Sequence, residues 1–472
     1  MAQTFFFYDL ETSGLNPRQD RIMQFAGQRT DMDLEPIGEP YNLLVTLNDD
    51  TLPSPDALMV TGITPQKTVE EGYTEAQFAR MLSEEIFTPD TIAVGFNNIR
   101  FDDEFIRHLL WRNFHDPYEW SWKDGRSRWD LLDVVRLTRA LRPEGINWPL
   151  DAKGEPSNRL ELITGANGIA HENAHNALAD VTALIAVTKL IKQKQPQLYD
   201  YLLKMRDKKV VQQLVNVDDK KPFVYASGRY DKEFAKTTVA FPLTTSRNGG
   251  VVVYDLRYDP TPFVGLSAEE LSAKIFASWE ERQAEDFVKL PVKELQYNRC
   301  PAVAPLGVLE QGDGWQKISL DAKTVQKHQN ILLKHPDFAE KLRTIFENKP
   351  AFKKLPDPEA QLYDGFLNDR DRLRVEAVRN ANERELADFH PEFQDERLAP
   401  LLLHYKARNF PRSLSEDDLA QWEIWRAQYL QAQLPGFMAS LQRLAPTAAD
   451  KQQFILQELQ LWAESVLPVI DS

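Results

Sequence analysis

The sequence contains a single cysteine, Cys300, among 472 residues. One cysteine excludes an intramolecular disulfide and a zinc site built from several cysteines. It also fits a reducing compartment, so we expect a cytoplasmic protein. The sequence has no apolar run of about 20 residues and no repeat of roughly 20 to 50 residues, so we expect neither a membrane span nor a solenoid.

Basic residues are outnumbered, with 56 Lys and Arg against 71 Asp and Glu and a net charge of −15. The chain therefore lacks the global positive field that attracts nucleic acid non-specifically. Phosphate contacts have to come from local basic pockets or from metal ions held by acidic side chains. The start, MAQTFFFYDL, lacks the basic segment of a signal peptide and predicts a strand.

The length exceeds the ~250 to 300 residues at which one core stops growing, and it predicts two or three domains. Residues 1–200 predict an α/β domain, 201–349 a small β-rich domain with helical additions, and 350–472 a helical domain. The strands expected in the first domain are 4–8, 22–30, 42–45 and 91–95, and its expected helices include 102–114, 130–141 and 176–193.

Short-range signals predict several element ends. Thr74 with Gln77 and Ser267 with Glu270 have the spacing of capping boxes, which begin helices. The β-type runs 237–245 and 251–255 are joined through Asn248-Gly249-Gly250, which predicts a hairpin.

Two carboxylates, Asp9 and Glu11, follow the first strand directly. Side-chain alternation places them on one face of the strand end, where they repel each other unless cations lie between them. Taken alone, this pattern also occurs in solvated turns.

Two later segments add acidic residues. Asp102 follows the strand 91–95 at the start of a helix, where strand ends of an α/β sheet form sites but where the helix dipole alone also favours a carboxylate. The helix dipole also explains its neighbours Asp103 and Glu104, which are therefore left out of the predicted site. Asp180 lies five residues after His175, which in a continuous helix would leave them about 140° apart. A shared site therefore requires His175 in the loop before the helix, with Asn176 as its cap.

Four carboxylates without cysteine favour Mg²⁺ over zinc, with Mn²⁺ as the other candidate. Two such ions about 3.5 to 4 Å apart can stabilise the attacking and leaving oxygens of a phosphodiester. His175, if neutral, can take the proton from the attacking water. The sequence thus predicts a two-metal nuclease with Asp9, Glu11, Asp102, Asp180 and His175 as catalytic residues.

As a set, these five residues resemble the DEDDh exonucleases of the ribonuclease-H-like fold. Val60-Thr61-Gly62-Ile63-Thr64 resembles the segment of that family that cradles the terminal nucleotide, with Thr61 in place of a frequent histidine. The resemblance implies that Glu11, Thr12, Gly62 and Ile63 lie near the 3′ nucleotide. Trp129 is a further candidate for stacking on bases, with a role in the core as the alternative.

Segments across the whole chain resemble the bacterial exodeoxyribonuclease I family: GFNNIRFDDE, SRWDLLDVVR, LRPEGINWP, AQLYDGF and KARNFP. That resemblance implies a nuclease domain, an SH3-like domain and a helical carboxy-terminal domain. It also implies processive 3′-to-5′ degradation of single-stranded DNA to mononucleotides, in repair and recombination.

The same resemblance implies a partner, the acidic tail of single-stranded DNA-binding protein. The candidate docking residues are Arg142 and Lys221, then Lys293 and Arg299; ordinary solvated side chains are the alternative for each. Nothing in the sequence requires an oligomer, so we expect a monomer.

Two other functions stay open. An exoribonuclease of the same superfamily would use the same metal site, because that site does not by itself read the 2′-hydroxyl. A non-catalytic scaffold that binds nucleic acid or protein is the second alternative.

Overall fold

The computed structural model describes residues 2–171, 176–247, 249–349 and 354–468. The chain begins with a five-stranded mixed sheet made of β1 (Thr4–Thr12), β2 (Ile22–Thr30), β3 (Tyr41–Leu44), β4 (Thr91–Gly95) and β5 (Ser127–Asp130). Its strand order is β3-β2-β1-β4-β5. β1 pairs antiparallel with β2 and parallel with β4, so it is the central strand.

The composition of β1 explains its central place. Residues 5–8 are apolar or aromatic and all of them are buried, as expected for a strand covered on both faces. Phe6 and Tyr8 pack on one face against Phe25, Phe78 and other buried side chains of a core under the sheet. The carboxylates that follow this apolar run therefore leave the core at a fixed point.

Seven α-helices lie along the chain from Pro55 to Lys194 in the described residues, and the first three begin with a proline or a capping box. Ser54 and Thr64 cap helices whose first residue is proline, and Thr74 forms the predicted capping box with Gln77. The helices are α1 (Pro55–Thr61), α2 (Pro65–Glu71), α3 (Glu75–Met81), α4 (Asp102–Arg112), α5 (Leu131–Leu141), α6 (Leu160–Ala166) and α7 (Ala177–Lys194).

A second five-stranded sheet follows, of order β10-β6-β7-β8-β9 and antiparallel throughout. Its strands are β6 (Phe223–Ala226), β7 (Thr237–Thr245), β8 (Val251–Asp255), β9 (Val292–Leu295) and β10 (Ala302–Pro305). The helices of this part are α8 (Pro196–Lys204), α9 (Lys208–Leu214), α10 (Thr261–Val264), α11 (Ala268–Phe276), α12 (Gly314–Lys317), α13 (Ala322–Lys334) and α14 (Pro336–Glu347). Phe223, Val253 and Val303 pack with Val211 of α9 in the core of this sheet.

The last part of the described chain is helical, as predicted. Its helices are α15 (Asp369–Asn380), α16 (Glu383–Ala387), α17 (Leu398–Asn409), α18 (Glu416–Leu444) and α19 (Asp450–Val466). Leu430 and Leu459 pack with Leu58 and Ile63 of the first part, and Leu401 packs with Trp111. The C-terminal helices thus share two hydrophobic cores with the first sheet and its helices.

The chain divides into two compact units that do not follow the chain order. One comprises Met1–Arg128, His171–Ile185 and Lys353–Ser472, and the other comprises Trp129–Ala170 and Ala186–Phe352. The domain boundaries expected after residues 200 and 349 stay a prediction. No helix in the described ranges is long and apolar enough to cross a membrane.

Most predicted elements are confirmed. β2, β4, β7 and β8 have the predicted bounds, and Ser267 with Glu270 forms the second capping box. The sequence pattern does not predict three of the strands, because β5, β6 and β10 are only four residues long and carry little periodicity. The hairpin residue Asn248 lies outside the described residues.

Buried ion pairs join the C-terminal helices to the first sheet's loops. Glu359 accepts from Arg21 Nη2 at 2.9 Å and from Arg408 Nη1 at 2.5 Å, and Arg408 Nη2 also contacts Asp50 at 2.6 Å. All four side chains are at most 2% exposed. Glu359 also contacts His404 and lies near Asp357, a group with metal-ligand spacing. Two guanidinium groups already neutralise its carboxylate, so we interpret this cluster as structural.

We expect Glu359→Gln to lower the free energy of unfolding by about 3 to 5 kcal/mol, because two buried guanidinium groups lose a counter-charge. Urea unfolding followed by tryptophan fluorescence measures this loss. Asp56→Asn is the matched control, since Asp56 pairs with Arg443 at the surface and such pairs contribute about 0 to 1 kcal/mol. Equal losses in the two variants would contradict a structural role for the buried cluster.

Candidate active site

The end of β1 presents Asp9 and Glu11 on one face of the sheet. Asp9 pairs with Ala26 of β2 and Glu11 with Gln24, and the register shifts immediately after Glu11. Such an irregularity bends a strand and changes the direction of its side chains. Both carboxylates are half-buried, so the chain holds two acidic groups where hydration is incomplete.

Asp180, in the first turn of α7, completes a tight group with these two residues. One carboxylate oxygen from each of Asp9, Glu11 and Asp180 lies within 4.8 Å of the others. Asp102, the first residue of α4, is 5% exposed, and its charge acts on both Asp9 and Glu11. The structure therefore brings all four predicted carboxylates together, from one strand and two helix starts.

The electrostatics of the group are unfavourable without a counter-charge. Loss of hydration raises the pKa of Asp9 well above its usual range, and the charges of Asp102, Glu11 and Asp180 raise it further. The pKa of Glu11 rises to about 8, again through lost hydration first and then through Asp180 and Asp102. In the described residues, no cation of the chain is among the causes of either shift. Divalent cations would supply the missing charge.

A histidine contacts the group, although not the predicted one. His171 Nε2 lies 2.6 Å from Asp180 Oδ1, and the His171 side chain is 4% exposed. The predicted base, His175, lies outside the described residues. The predicted cap is confirmed, since Ala179 N–H donates to Asn176 Oδ1 at 3.3 Å and α7 begins at Ala177.

Comparison with known proteins identifies the family of this chain. A family model described as exonuclease matches residues 6–188. Models described as the exonuclease I SH3-like domain and C-terminal domain match residues 206–348 and 356–466. Exodeoxyribonuclease I of Haemophilus influenzae is 40% identical over 95% of this chain and 95% of its own. This chain belongs to the exonuclease I family.

Solved structures of Escherichia coli exonuclease I have the same fold. One, in complex with a 5cy-dT13 oligonucleotide, has a TM-score of 0.92 at 37% identity and covers 99% of this chain and 100% of that chain. Another is the zinc-bound form of a complex with single-stranded DNA, with a TM-score of 0.94 at 38% identity and the same coverage. The expected order of exonuclease, SH3-like and helical domains is therefore confirmed, and the chain is a nuclease.

The exonuclease I family depends on metal ions, and the residues of this chain fit that requirement. The donors are carboxylate oxygens, which suit hard divalent cations. The raised pKa values of Asp9 and Glu11 show that the protein by itself disfavours their charged forms. Both observations agree with a family site that binds cations.

The residues expected near the 3′ nucleotide differ in how much surface they offer. Thr12 is buried, and its hydroxyl donates to the Gly14 carbonyl at 2.7 Å. Gly62 ends α1 with a φ of 69°, and the space beside its Cα is open. Ile63 is 8% exposed and packs in a hydrophobic core. Gly62 thus has open space beside its backbone whereas Ile63 is enclosed, and the contacts of these residues with a nucleotide stay a prediction.

The prediction that bases stack on Trp129 needs correction. Trp129 is 1% exposed, and its ring packs edge-to-face against Tyr199 at 5.4 Å. An indole so enclosed offers no face to a base. Trp129 is a core residue in this structure, in agreement with the alternative role.

The four candidate docking residues have separate surroundings. Arg142 donates to Gln311 Oε1 at 3.0 Å, and Lys221 is 79% exposed beside Asp219. Lys293 donates to the Ser227 hydroxyl and lies over Tyr225, 4.2 Å from the ring centre. Arg299 is exposed. Lys221 and Arg299 are the exposed cations, whereas Arg142 and Lys293 are half-buried, and the role of all four stays a prediction.

Sequence reasoning misses two residues beside the carboxylates, His171 and Asp103. Asp103 is fully buried, whereas its place at a helix start alone suggests a solvated charge outside the site. Its position carries a signal, because it shares a helical face with Ile106 and Leu110, which are also buried. His171 has no comparable signal beyond its place four residues before His175.

We expect Mg²⁺ to raise the Tm of the protein more at pH 8.5 than at pH 5.5. The folded-state pKa values of Asp9 and Glu11 lie above their ordinary values, so protonation of these groups stabilises the fold fully at low pH. The contribution of Glu11 is lost as the pH rises through its folded-state pKa of about 8. Mg²⁺ offsets the charges that then appear. Differential scanning calorimetry with Mg²⁺ or EDTA measures the gain. Glu11→Gln should reduce the pH dependence of this increase in Tm. An equal increase in Tm at both pH values would refute the explanation.

Proposed function

We propose that this chain is a metal-dependent exonuclease that degrades single-stranded DNA from the 3′ end, processively, to 5′-mononucleotides. The convergence of Asp9, Glu11, Asp102 and Asp180 carries the proposal, because they come from three separate segments of the chain and their like charges repel. Residues used only for stability would not be expected in such a group. A role in DNA repair and recombination follows from the family.

The four carboxylates would hold the metal ions. Two divalent cations, when bound, stabilise the charge on the attacking and leaving oxygens of the phosphodiester. The oxygen of a water molecule bonds to the phosphorus, and the bond to the 3′ oxygen of the preceding nucleotide breaks. The phosphate leaves with the terminal nucleotide, and the 3′ oxygen of the shortened strand takes up a proton from solvent and becomes a hydroxyl.

His175 is the proposed acceptor of the water's proton. Asn176 caps α7, so His175 precedes the helix in the chain, as a base that reaches the carboxylates must. His171 contacts Asp180 directly, and we assign it to holding that carboxylate. The two histidines then differ in role.

Mg²⁺ is the proposed metal, with Mn²⁺ as a substitute. All the proposed donors are carboxylate oxygens, which favour these ions. An E. coli relative was solved in a zinc-bound form, so a comparison of metals belongs in any assay of this chain.

DNA is the proposed substrate in preference to RNA. The support is the 37% identity over 99% of the chain with a relative solved on a deoxyoligonucleotide. A faster rate on RNA than on DNA oligonucleotides of the same sequence would favour the exoribonuclease.

With Mg²⁺, we expect purified protein to release 5′-mononucleotides from the 3′ end of 5′-labelled single-stranded DNA, and EDTA to abolish release. His175→Ala should lower kcat by about 10² to 10⁴ with DNA binding retained, since that is the usual contribution of a general base. His171→Ala is the matched variant and should lower kcat less. Gel analysis of the shortened strands over time measures the rates of wild type and of the two histidine variants. If wild type and Asp180→Asn released nucleotides at the same rate, the non-catalytic scaffold would be favoured.

We further propose a cytoplasmic monomer that binds the acidic tail of single-stranded DNA-binding protein. Arg142 and Lys221 are the first docking candidates, and both reach solvent. An acidic chain of net charge −15 needs such local cations to bind an acidic peptide.

Charge reversal of Arg142 and Lys221 to Glu should weaken binding of an acidic tail peptide at least about fivefold, the equivalent of roughly 1 kcal/mol. Hydrolysis of naked DNA should be unchanged. Fluorescence anisotropy with a labelled peptide measures the affinity. Lys451→Glu, an exposed charge reversal on α19, is the control. Unchanged peptide affinity in the double variant would remove both residues from the docking site.

A further inference from the structure

Asp103 is a fully buried carboxylate next to one of the proposed metal ligands. It follows Asp102 in the first turn of α4 and is 0% exposed. A charge in such a place is costly unless it is paired and hydrogen-bonded. Its partners therefore matter for the site beside it.

Three side chains from three different segments satisfy this carboxylate. Arg128, on β5, donates to Oδ2 at 2.5 Å. The Tyr8 hydroxyl, on β1, donates to Oδ1, and Asn98 Nδ2 donates to the same oxygen at 3.1 Å. Asn98 also donates to the Tyr8 hydroxyl at 3.3 Å, so the four groups form one connected set.

The backbone leaves room for this set. Asn98 is 0% exposed, in a turn of 3₁₀ helix between β4 and α4. A Cβ at position 95 would lie 2.5 Å from the Asn98 Cβ, so Gly95 at the end of β4 permits the close approach. The contact between Asn98 and Asp103 thus depends on a glycine at the strand end.

Each end of the Tyr8–Asp103 hydrogen bond is the chain neighbour of a proposed metal ligand. Tyr8 precedes Asp9 on β1, and successive side chains of a strand point to opposite faces. Asp103 follows Asp102 on α4. The bond therefore links β1 to α4 immediately beside Asp9 and Asp102.

We propose that Asp103, held by Tyr8, Asn98 and Arg128, is a positioning residue that sets the spacing of Asp102 from the Asp9–Glu11 pair. This inference rests on the proposed metal-dependent function. Groups behind metal ligands commonly change metal affinity or activity by 10- to 100-fold when they are replaced. If the Asp103 ion pair served stability alone, its removal would lower the unfolding temperature without changing metal affinity.

Direct metal binding separates the two roles. Mn²⁺ is titrated into the metal-free full chain, and the free ion is followed by electron paramagnetic resonance. We expect Asp103→Asn to raise the Kd for Mn²⁺ about 10-fold or more and Tyr8→Phe to raise it severalfold. In nuclease assays, the Mg²⁺ concentration for half-maximal rate should rise in parallel, with KM for DNA nearly unchanged.

Tyr254→Phe is the matched control, since Tyr254 is also buried and its hydroxyl has no hydrogen-bond partner among the described residues. It should bind Mn²⁺ as wild type does. Tyr8→Phe removes only one hydroxyl, so it keeps the test decisive if Asp103→Asn does not fold. A folded Tyr8→Phe protein with wild-type Mn²⁺ affinity would overturn the inference and leave the proposed function standing. Wild-type protein that binds no Mn²⁺ and degrades DNA in EDTA would overturn both.

Discussion

Mutual repulsion among four carboxylates is the constraint on which the rest of this structure depends. Asp9, Glu11, Asp102 and Asp180 come from one strand and two helix starts. Lost hydration and the charges of Asp102 and Asp180 raise the pKa values of both Asp9 and Glu11. The folded protein has to hold these carboxylates near one another against their repulsion even when no cation is bound. The fold does so with a central strand buried on both faces, which fixes Asp9 and Glu11 before any cation binds.

Paired buried charges surround that strand. Asp103 is matched by Arg128, Tyr8 and Asn98, and Glu359 by Arg21 and Arg408. Arg21 also lies in the loop after β1, where its N–H donates to the Ser13 hydroxyl at 2.8 Å. The C-terminal helices consequently belong to the same compact unit as the carboxylates, and they contribute to the support of the loop beside Glu11.

Function is predictable to the extent that it depends on residue identity and order. The set Asp9, Glu11, Asp102, His175 and Asp180 is apparent from the amino-acid sequence, because strand and helix starts mark where side chains leave the core. The burial of Trp129 and of Asp103 is not apparent from the sequence, for one reason. Burial of a single side chain depends on elements that pack from elsewhere in the chain, such as Tyr199 against Trp129. The sequence does not predict the role of His171, because its contact with Asp180 depends on the path of a loop.

The sequence by itself determined the identity of the carboxylates and the bounds of those elements that carry a clear pattern, such as β2, β4, β7 and β8, since periodicity, capping boxes and apolar runs are local properties. Only the tertiary structure decided that the four carboxylates meet, that Asp103 is buried behind them and that the helical C-terminal region packs with the first sheet. Those outcomes depend on contacts between residues up to several hundred positions apart, such as Arg21 with Glu359. No local pattern encodes such a distance, because it is set by how the cores pack together.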